Sequence, residues 1–364
     1  MKVKSILQLL ASDDELSRLK GIEEVQREPR EVFVEVLVDL LQHDPSQIVR
    51  EAALETLKCY PSSFLVPRLV PLLESDDIFV RNAAVTVLSA HFEAPLKELA
   101  RLVNHPNKHV RKLALDALFQ TRNPLAVDII ARGLQDPDVN NVIAAVEYLG
   151  KMEGFRFADA INDILERAED PFLMCTCLEA LARIGNRNSI AVVQRKFANP
   201  RDINCFVLFS YLRFLSEKGD LSFLPQIEAI FEEQGNIAGK ELIDVLKGLI
   251  SRHRKDFSDE DVQRVKTLLK KLLVSALPSS NRYELLVLLA EMGGEDVEKL
   301  LLAHLSHPNF FAKLGAIEGL AKLRTPGGIE KLREFAAREE NQELREIAAE
   351  ILRDLGAPLP AGGS

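Results

Sequence analysis

The residues able to do chemistry in this 364-residue chain are few, and their spacing does not suit a reaction. Seven histidines are present: His43, His91, His105, His109, His253, His304 and His307. His105 and His109 stand four apart, which on one helix face would suit two ligands of a metal ion. His105, however, falls at a turn before Pro106, no cysteine lies nearby, and no HExxH pattern occurs, so the pair reads as solvated or capping side chains. His304 and His307, with Pro308 next, read the same way. Cys175 and Cys177 are two apart in a helical pattern, so they point in different directions and cannot act as a redox CxxC pair; packing is their default role.

The acidic pairs Glu23-Glu24, Glu232-Glu233 and Glu339-Glu340 fall on solvent faces, with nothing in their spacing to make them converge. Gly293-Gly294 and Gly327-Gly328 match neither a phosphate-cradling loop nor a dinucleotide fingerprint. The basic run Arg252-His253-Arg254-Lys255 suits a helix C-terminus, whose dipole it complements, and Lys270-Lys271 is the other dense basic cluster. The expectation is a protein that is not an enzyme and that holds no cofactor and no metal.

Composition narrows the class further. Apolar residues make up 47% and charged residues 28%, while aromatics are only 6% and tryptophan is missing, a balance that favours helices packed closely on helices. The formal charge of −9 argues against a general grip on nucleic acid, which needs a positive surface. No run of 18 uncharged apolar residues appears, so no membrane span is expected. The four cysteines, Cys59, Cys175, Cys177 and Cys205, sit inside helical patterns, and MKVKSILQLLASDD lacks a long apolar core with a cleavage site. A cytoplasmic location is expected.

The elements that must position any site show a clear order. The stretch Asp44-Pro45-Ser46 followed by Gln47 to Leu57 reads as a turn and a helix, with apolar residues at Val49, Ala52, Ala53, Leu54 and Leu57 forming one stripe to bury. Its arginine, Arg50, anchors a series through the chain: Arg18, Arg50, Arg81, Arg111, Val142, Met174, Cys205, Leu242, Arg282, Lys313 and Arg345. Each is followed seven residues later by an apolar residue, Val25 in the first and leucine in the rest. The anchors are separated by 30 to 32 residues except for intervals of 37 and 40 between Cys205 and Arg282. A period this regular marks a repeat architecture. A second apolar run lies between successive anchored helices, so each unit is two helices, with little room for strands.

Units such as DPSQIVREAALETL, DDIFVRNAAVTVL, HPNKHVRKLALDAL and HPNFFAKLGAIEGL resemble HEAT repeats, in particular the short bacterial kind found in phycobilisome-lyase-like proteins. The resemblance implies an all-α fold, an α-solenoid wound as a right-handed superhelix of about eleven two-helix repeats. It would span residues 1–357 as one domain, with divergent units over 142–281 and a flexible tail over 358–364. It also implies a ladder of turn aspartates and helix arginines: Asp13 or Asp14 with Arg18, Asp44 with Arg50, and Asp76 with Arg81. Taken as exposed pairs, each is worth about 0–1 kcal/mol, and register is their main use. HEAT-like alkylpurine DNA glycosylases share the fold but rely on aromatic residues, tryptophan among them, in a basic cleft, which this acidic, tryptophan-free chain does not match.

In HEAT proteins the second helices line the concave side. The residue after each anchor should lie near that inner ridge, and it turns from polar to apolar in the middle of the chain: Ile143, Cys175, Phe206, Ile243, Tyr283 and Leu314. With Glu147, Glu179 and Lys247 as a charged rim, these residues are expected to contact another protein, unless the divergent units are rotated so that they become core. The functional expectation is a non-enzymatic scaffold or adaptor for a partner protein. The alternatives are a lyase-like or chaperone-like holder of a substrate protein and, third, a nucleic-acid-binding solenoid.

Overall fold

The structure, a computed structural model, describes residues 3–90, 96–235, 237–275 and 278–357. His91 and the proline- and glycine-rich end from residue 358 onward lie outside the described residues. The described residues contain helices, turns and no strand, and they gather into two compact units, Met1–Asn186 and Arg187–Ser364.

The first unit holds six helix pairs. They are α1 (Val3–Leu10) with α2 (Glu15–Arg27), α3 (Val34–His43) with α4 (Gln47–Leu57), and α5 (Ser62–Leu69) with α6 (Ile78–Ser89). Next come α7 (Leu96–Leu102) with α8 (Lys108–Gln120), α9 (Ala126–Ile130) with α10 (Val139–Lys151), and α11 (Ala158–Arg167) with α12 (Pro171–Ile184). Five pairs follow in the second unit. They are α13 (Arg187–Lys196) with α14 (Cys205–Lys218), α15 (Leu224–Gln234) with α16 (Gly239–His253), and α17 (Asp259–Val274) with α18 (Ser280–Met292). The last two are α19 (Glu295–His304) with α20 (Phe310–Leu323), and α21 (Pro326–Arg338) with α22 (Gln342–Asp354).

The eleven anchored helices of the sequence are the eleven second helices. All eleven residues seven positions after an anchor, from Val25 to Leu352, are buried to 1% exposure or less. Each contributes roughly 1.5–3 kcal/mol by leaving water, covered by the first helix of its own pair and by neighbouring pairs. The fold is an all-α solenoid of stacked helix pairs.

Local chemistry starts nine of the eleven second helices, all but α16 and α18. Asp14, Ser46, Asp77, Asn107, Asp138, Asp170, Asn204, Asn309 and Asn341 are N-caps whose side chains accept a backbone N–H of the first turn. The anchor falls at the fourth helical residue in most repeats, but α14 begins at Cys205, so the equivalent residue there is the buried Leu208. With Leu208 as the anchor the flanking intervals of 31 and 37 both become 34, and only the interval of 40 stays long. It is filled by α16 and α17, of 15 and 16 residues.

The ion-pair ladder is real but joins different partners from those expected. Among the described residues, four cations reach the turn of the following repeat, not their own. Arg18 binds both carboxylate oxygens of Asp44 at 2.7 and 2.9 Å, and Arg111 binds Asp136 at 2.7 and 2.8 Å. Arg50 reaches Asp77 at 2.5 Å and Lys313 reaches Glu339 at 2.7 Å. Toward its own turn the arginine holds carbonyls instead: Arg18 those of Ser12 and Asp13, Arg81 that of Ser75, and Arg111 those of His105 and Pro106. The Arg18–Asp44 and Arg111–Asp136 pairs are buried, so they weigh more than surface pairs.

Gly150 is the next-to-last residue of α10. A Cβ there would lie 2.8 Å from the Ala180 backbone, so its lack of a side chain lets α10 and α12 touch. The basic run at the end of α16 caps neighbouring helices. Arg252 donates to the carbonyls of Leu215, Ser216 and Gly219 at the end of α14, and Arg254 donates to those of Glu291 and Met292 at the end of α18.

Candidate partner-binding surface on the second helices

The outer face of a second helix carries its second, fifth and ninth residues, which are one turn apart and fall in line. In the first unit this line brings three of the expected residues together. Glu147 of α10 and Cys175 and Glu179 of α12 line one open cleft of about 280 Å³, with Lys151, Thr176 and Arg183. Gly150 and Ala180 also line it, at the point where the two helices touch. Glu147 is paired with Lys151 at 2.5 Å, and Glu179 is exposed. Ile143 and Cys175 are half-buried. Cys177, two residues on, points into the core, and burial pushes its thiol pKa up to about 12, which keeps it protonated and inert.

In the second unit the expected residues separate. Ile243 is 0% exposed and belongs to the core of α16, so it cannot touch a partner; here the fifth residue of the helix is rotated inward. Phe206 is 49% exposed at the second position of α14. Lys247 is paired with Glu284 at 2.7 Å and lines a cleft of about 580 Å³ with Phe209, Arg213, Glu217 and Arg252. Tyr283 and Leu314 are half-buried. The Tyr283 hydroxyl donates to Glu318 at 2.7 Å, and that carboxylate, with burial, pushes its pKa up to about 12.

Apart from Phe206, the sequence pattern missed the more exposed row, which lies one turn nearer the helix start. Large apolar side chains stand out at Leu16 (73% exposed), Ile48, Phe172 (63%), Phe206 and Phe311, each the second residue of its helix. Ile78 and Val139, first residues of α6 and α10, and Phe209, fifth of α14, are exposed as well. Four of these, Leu16, Ile48, Phe172 and Phe311, precede the residue following the anchor by three positions, so the helical period alone could have found them. Phe79 holds the second position of α6 but is half-buried beneath Arg50, whose guanidinium carbon is 4.5 Å from the ring centre.

Elsewhere the face is tied down. Phe119 of α8 and Tyr148 of α10 stack at 4.3 Å, and the Tyr148 hydroxyl donates to Asp116 at 2.5 Å, with Lys112 on the same carboxylate. Burial and Asp116 raise the Tyr148 hydroxyl well above the ordinary tyrosine value. His105 and His307 close the backbone of their own turns. The Nδ1 of each accepts the N–H of the N-cap two residues on, Asn107 at 3.2 Å and Asn309 at 3.0 Å. Among the described residues, no group of three or more histidine, cysteine, aspartate or glutamate side chains is placed to hold a metal ion. No described helix is long and apolar enough to cross a membrane.

Paired helices with a buried second-helix stripe, capped turns and an inter-repeat cation ladder define a repeat protein of the helical-hairpin class. A family model for HEAT repeats matches residues 34–95, 96–171 and 265–353, and the chain belongs to the HEAT-repeat family. It is 30% identical over 170 residues to an uncharacterised phycocyanin operon protein Z of Pseudanabaena tenuis (strain PCC 7409), covering 44% of this chain and 83% of that protein. Among solved structures, it resembles a chain from the structure of Kap95p bound to RanGDP, with a TM-score of 0.63 at 12% identity. That match covers 98% of this chain and 58% of the other. An engineered protein matches over 98% of this chain and the whole of its own length, at 18% identity and a TM-score of 0.38.

Proposed function

We propose that this HEAT-repeat protein is a non-enzymatic scaffold that holds a partner protein against its second helices. The observation supporting this reading is the recurrence of large, exposed apolar side chains at the second position of these helices, in both units. A fold that has already buried its leucine stripes gains nothing from them, and contiguous apolar surface with a charged rim is what a protein interface uses. In the first unit the partner would meet Ile143, Cys175, Glu147 and Glu179 beside Phe172; in the second, Phe206, Phe209, Lys247, Tyr283 and Leu314. Anchors of this kind carry about 1–2 kcal/mol or more each, and aromatic ones the most.

The test is co-purification of a partner with the full chain and with a Phe172→Ser/Phe209→Ser double variant. We expect the wild type to retain a stoichiometric protein partner and the variant to lose it by at least about tenfold at unchanged melting temperature. A chain that binds no protein but takes a small molecule or nucleic acid tightly would overturn the reading.

The relative in a phycocyanin operon favours a second reading, in which the held partner is a chromophore-bearing protein. Mixing the chain with phycocyanin subunits and free bilin separates the two. Complex formation, or a shifted bilin absorbance, supports this reading, and neither effect removes it.

A further inference from the structure

One bond recurs in the turns that open second helices: the residue two before the N-cap accepts the N-cap's own N–H. Asp44 does this for Ser46 and Asp136 for Asp138, both at 2.8 Å, and Glu339 does it for Asn341 at 3.1 Å. In those three turns the acceptor is an anion that also holds the cation of the preceding repeat, Arg18, Arg111 or Lys313. In the turn before α20 the same place belongs to His307, whose Nδ1 accepts the Asn309 N–H at 3.0 Å. The preceding repeat's cation there is Arg282.

An imidazole nitrogen accepts a hydrogen bond only while it carries no proton. Protonating His307 therefore removes the bond that closes the turn and adds positive charge beside Arg282. The groups around it offer no relief. From α19, His304 stacks on His307 with ring centres 5.6 Å apart, its own Nδ1 already bound to the Leu300 carbonyl at 2.8 Å. From α18 comes Arg282, which donates to the Leu273 carbonyl. From α20, Lys313 is held by Glu339. Among the described residues, no carboxylate pairs with His307.

On its helical side the joint between α18 and α20 is fixed differently. A Cβ on Gly315 would stand 2.9 Å from both the Cα and the carbonyl oxygen of Tyr283, so the two backbones are in direct contact there. We propose that His307 is a proton-operated catch on this joint: neutral, it closes the turn; protonated, it releases the turn edge while α18 and α20 stay in contact at Gly315. Tyr283, Leu314 and Glu318 lie on the second-helix face at this joint, so release alters that face.

The protonation energetics agree. Burial first, then His304 and Arg282, hold His307 below the ordinary histidine value. The unfolded chain then binds the proton more readily than the folded one, so stability is lost as pH falls below about 6.5. His105 provides an internal comparison. It makes the same Nδ1 bond, but its Nε2 is 3.0 Å from Glu74, so an imidazolium there gains an acid partner.

The experiment follows the full-length chain from pH 8 to pH 5 by long-range ¹H–¹⁵N imidazole spectra and by amide exchange corrected for its intrinsic pH dependence. At pH 7.5 His307 should be the neutral tautomer with its proton on Nε2. As it protonates, the protection of the Asn309 amide and the first turn of α20 should fall about tenfold, the loss of roughly one hydrogen bond. His307→Asp supplies both the turn acceptor and an anion for Arg282, and should abolish the fall; His105→Asp should leave it in place. Three results would each overturn the catch: a proton on Nδ1 of His307 at pH 7.5, equal protection at pH 7.5 and pH 5, or a fall that persists in His307→Asp. The tautomer and exchange readings on the wild type decide the matter even if a variant fails to fold.

Discussion

Replacing Asp136 by alanine should be among the most damaging single changes to the ladder. Asp136 accepts two bonds from Arg111, one from the Asp138 N–H at 2.8 Å and one from the Asn141 side chain at 3.1 Å, with its own side chain 2% exposed. In the variant Arg111 cannot swing into water easily, because its Nη1 also holds the carbonyls of His105 and Pro106 at 2.8 and 3.0 Å. It stays buried without its counter-charge, a condition that costs about 3–5 kcal/mol. The comparison is Asp77→Asn. That change breaks the Arg50–Asp77 pair, whose acid is 42% exposed, but keeps an N-cap acceptor for the Phe79 N–H, and should cost only about 0.5–1 kcal/mol. A rung acts locally within the repeat array, so amide exchange is a sharper readout of it than a global melting temperature. Amide exchange across residues 105–141 reports the local opening constant, which should rise roughly a hundred- to several-thousandfold in Asp136→Ala and less than about tenfold around residue 77 in Asp77→Asn. Equal effects in the two variants would refute the reasoning that burial, and not mere pairing, sets the weight of a rung.

Other outcomes test other parts of the account. Gly248→Ala should destabilise the second unit by about 2 kcal/mol or more, since the new Cβ would fall 2.1 Å from the Ser216 carbonyl oxygen; a melt with no loss would show that α14 and α16 can part freely there. Leu16→Ser and Ile48→Ser remove exposed apolar groups and should leave the melting curve unchanged within about 0.5 kcal/mol, which thermal denaturation checks directly. Burial pushes the Asp296 carboxyl up, but Lys266 and Lys270 outweigh it and hold its pKa at about 2. Its contribution is therefore present above about pH 4 and lost as pH falls toward 2, so Asp296→Asn should flatten acid unfolding of the second unit over that range.

The repeat was legible because it rests on one-dimensional information. Leu57, Leu118 and Leu320 are buried by the same spacing that reveals them in the sequence. The partners of the ladder were not. Asp44 lies 26 residues from Arg18 and only six from Arg50, and nothing in the linear pattern says that an arginine reaches forward to the next turn while it satisfies carbonyls in its own. Phase failed where the N-cap moved. Asn204 starts α14 at Cys205, so the fifth residue is Phe209, and Ile243 turns inward in a helix without a side-chain cap bond. The cleft holding Glu147, Cys175 and Glu179 was found as a set of residues but not as a shape, because its floor depends on Gly150 touching Ala180, a contact between helices that local spacing does not encode.

The forward reach of the ladder gives the chain a direction in time. A rung joins a cation to an acid 25 to 27 residues later, so in each repeat that carries a rung the cation leaves the ribosome before its partner has been made. The turns holding Asp44, Asp77, Asp136 and Glu339 supply the missing acid for the pair before them. At those four joints the rung closes only once the later hairpin's turn has been made. After Arg81 and after Arg282 the next turn offers His105 and His307 in place of an acid, so those two joints are closed without a rung of this kind.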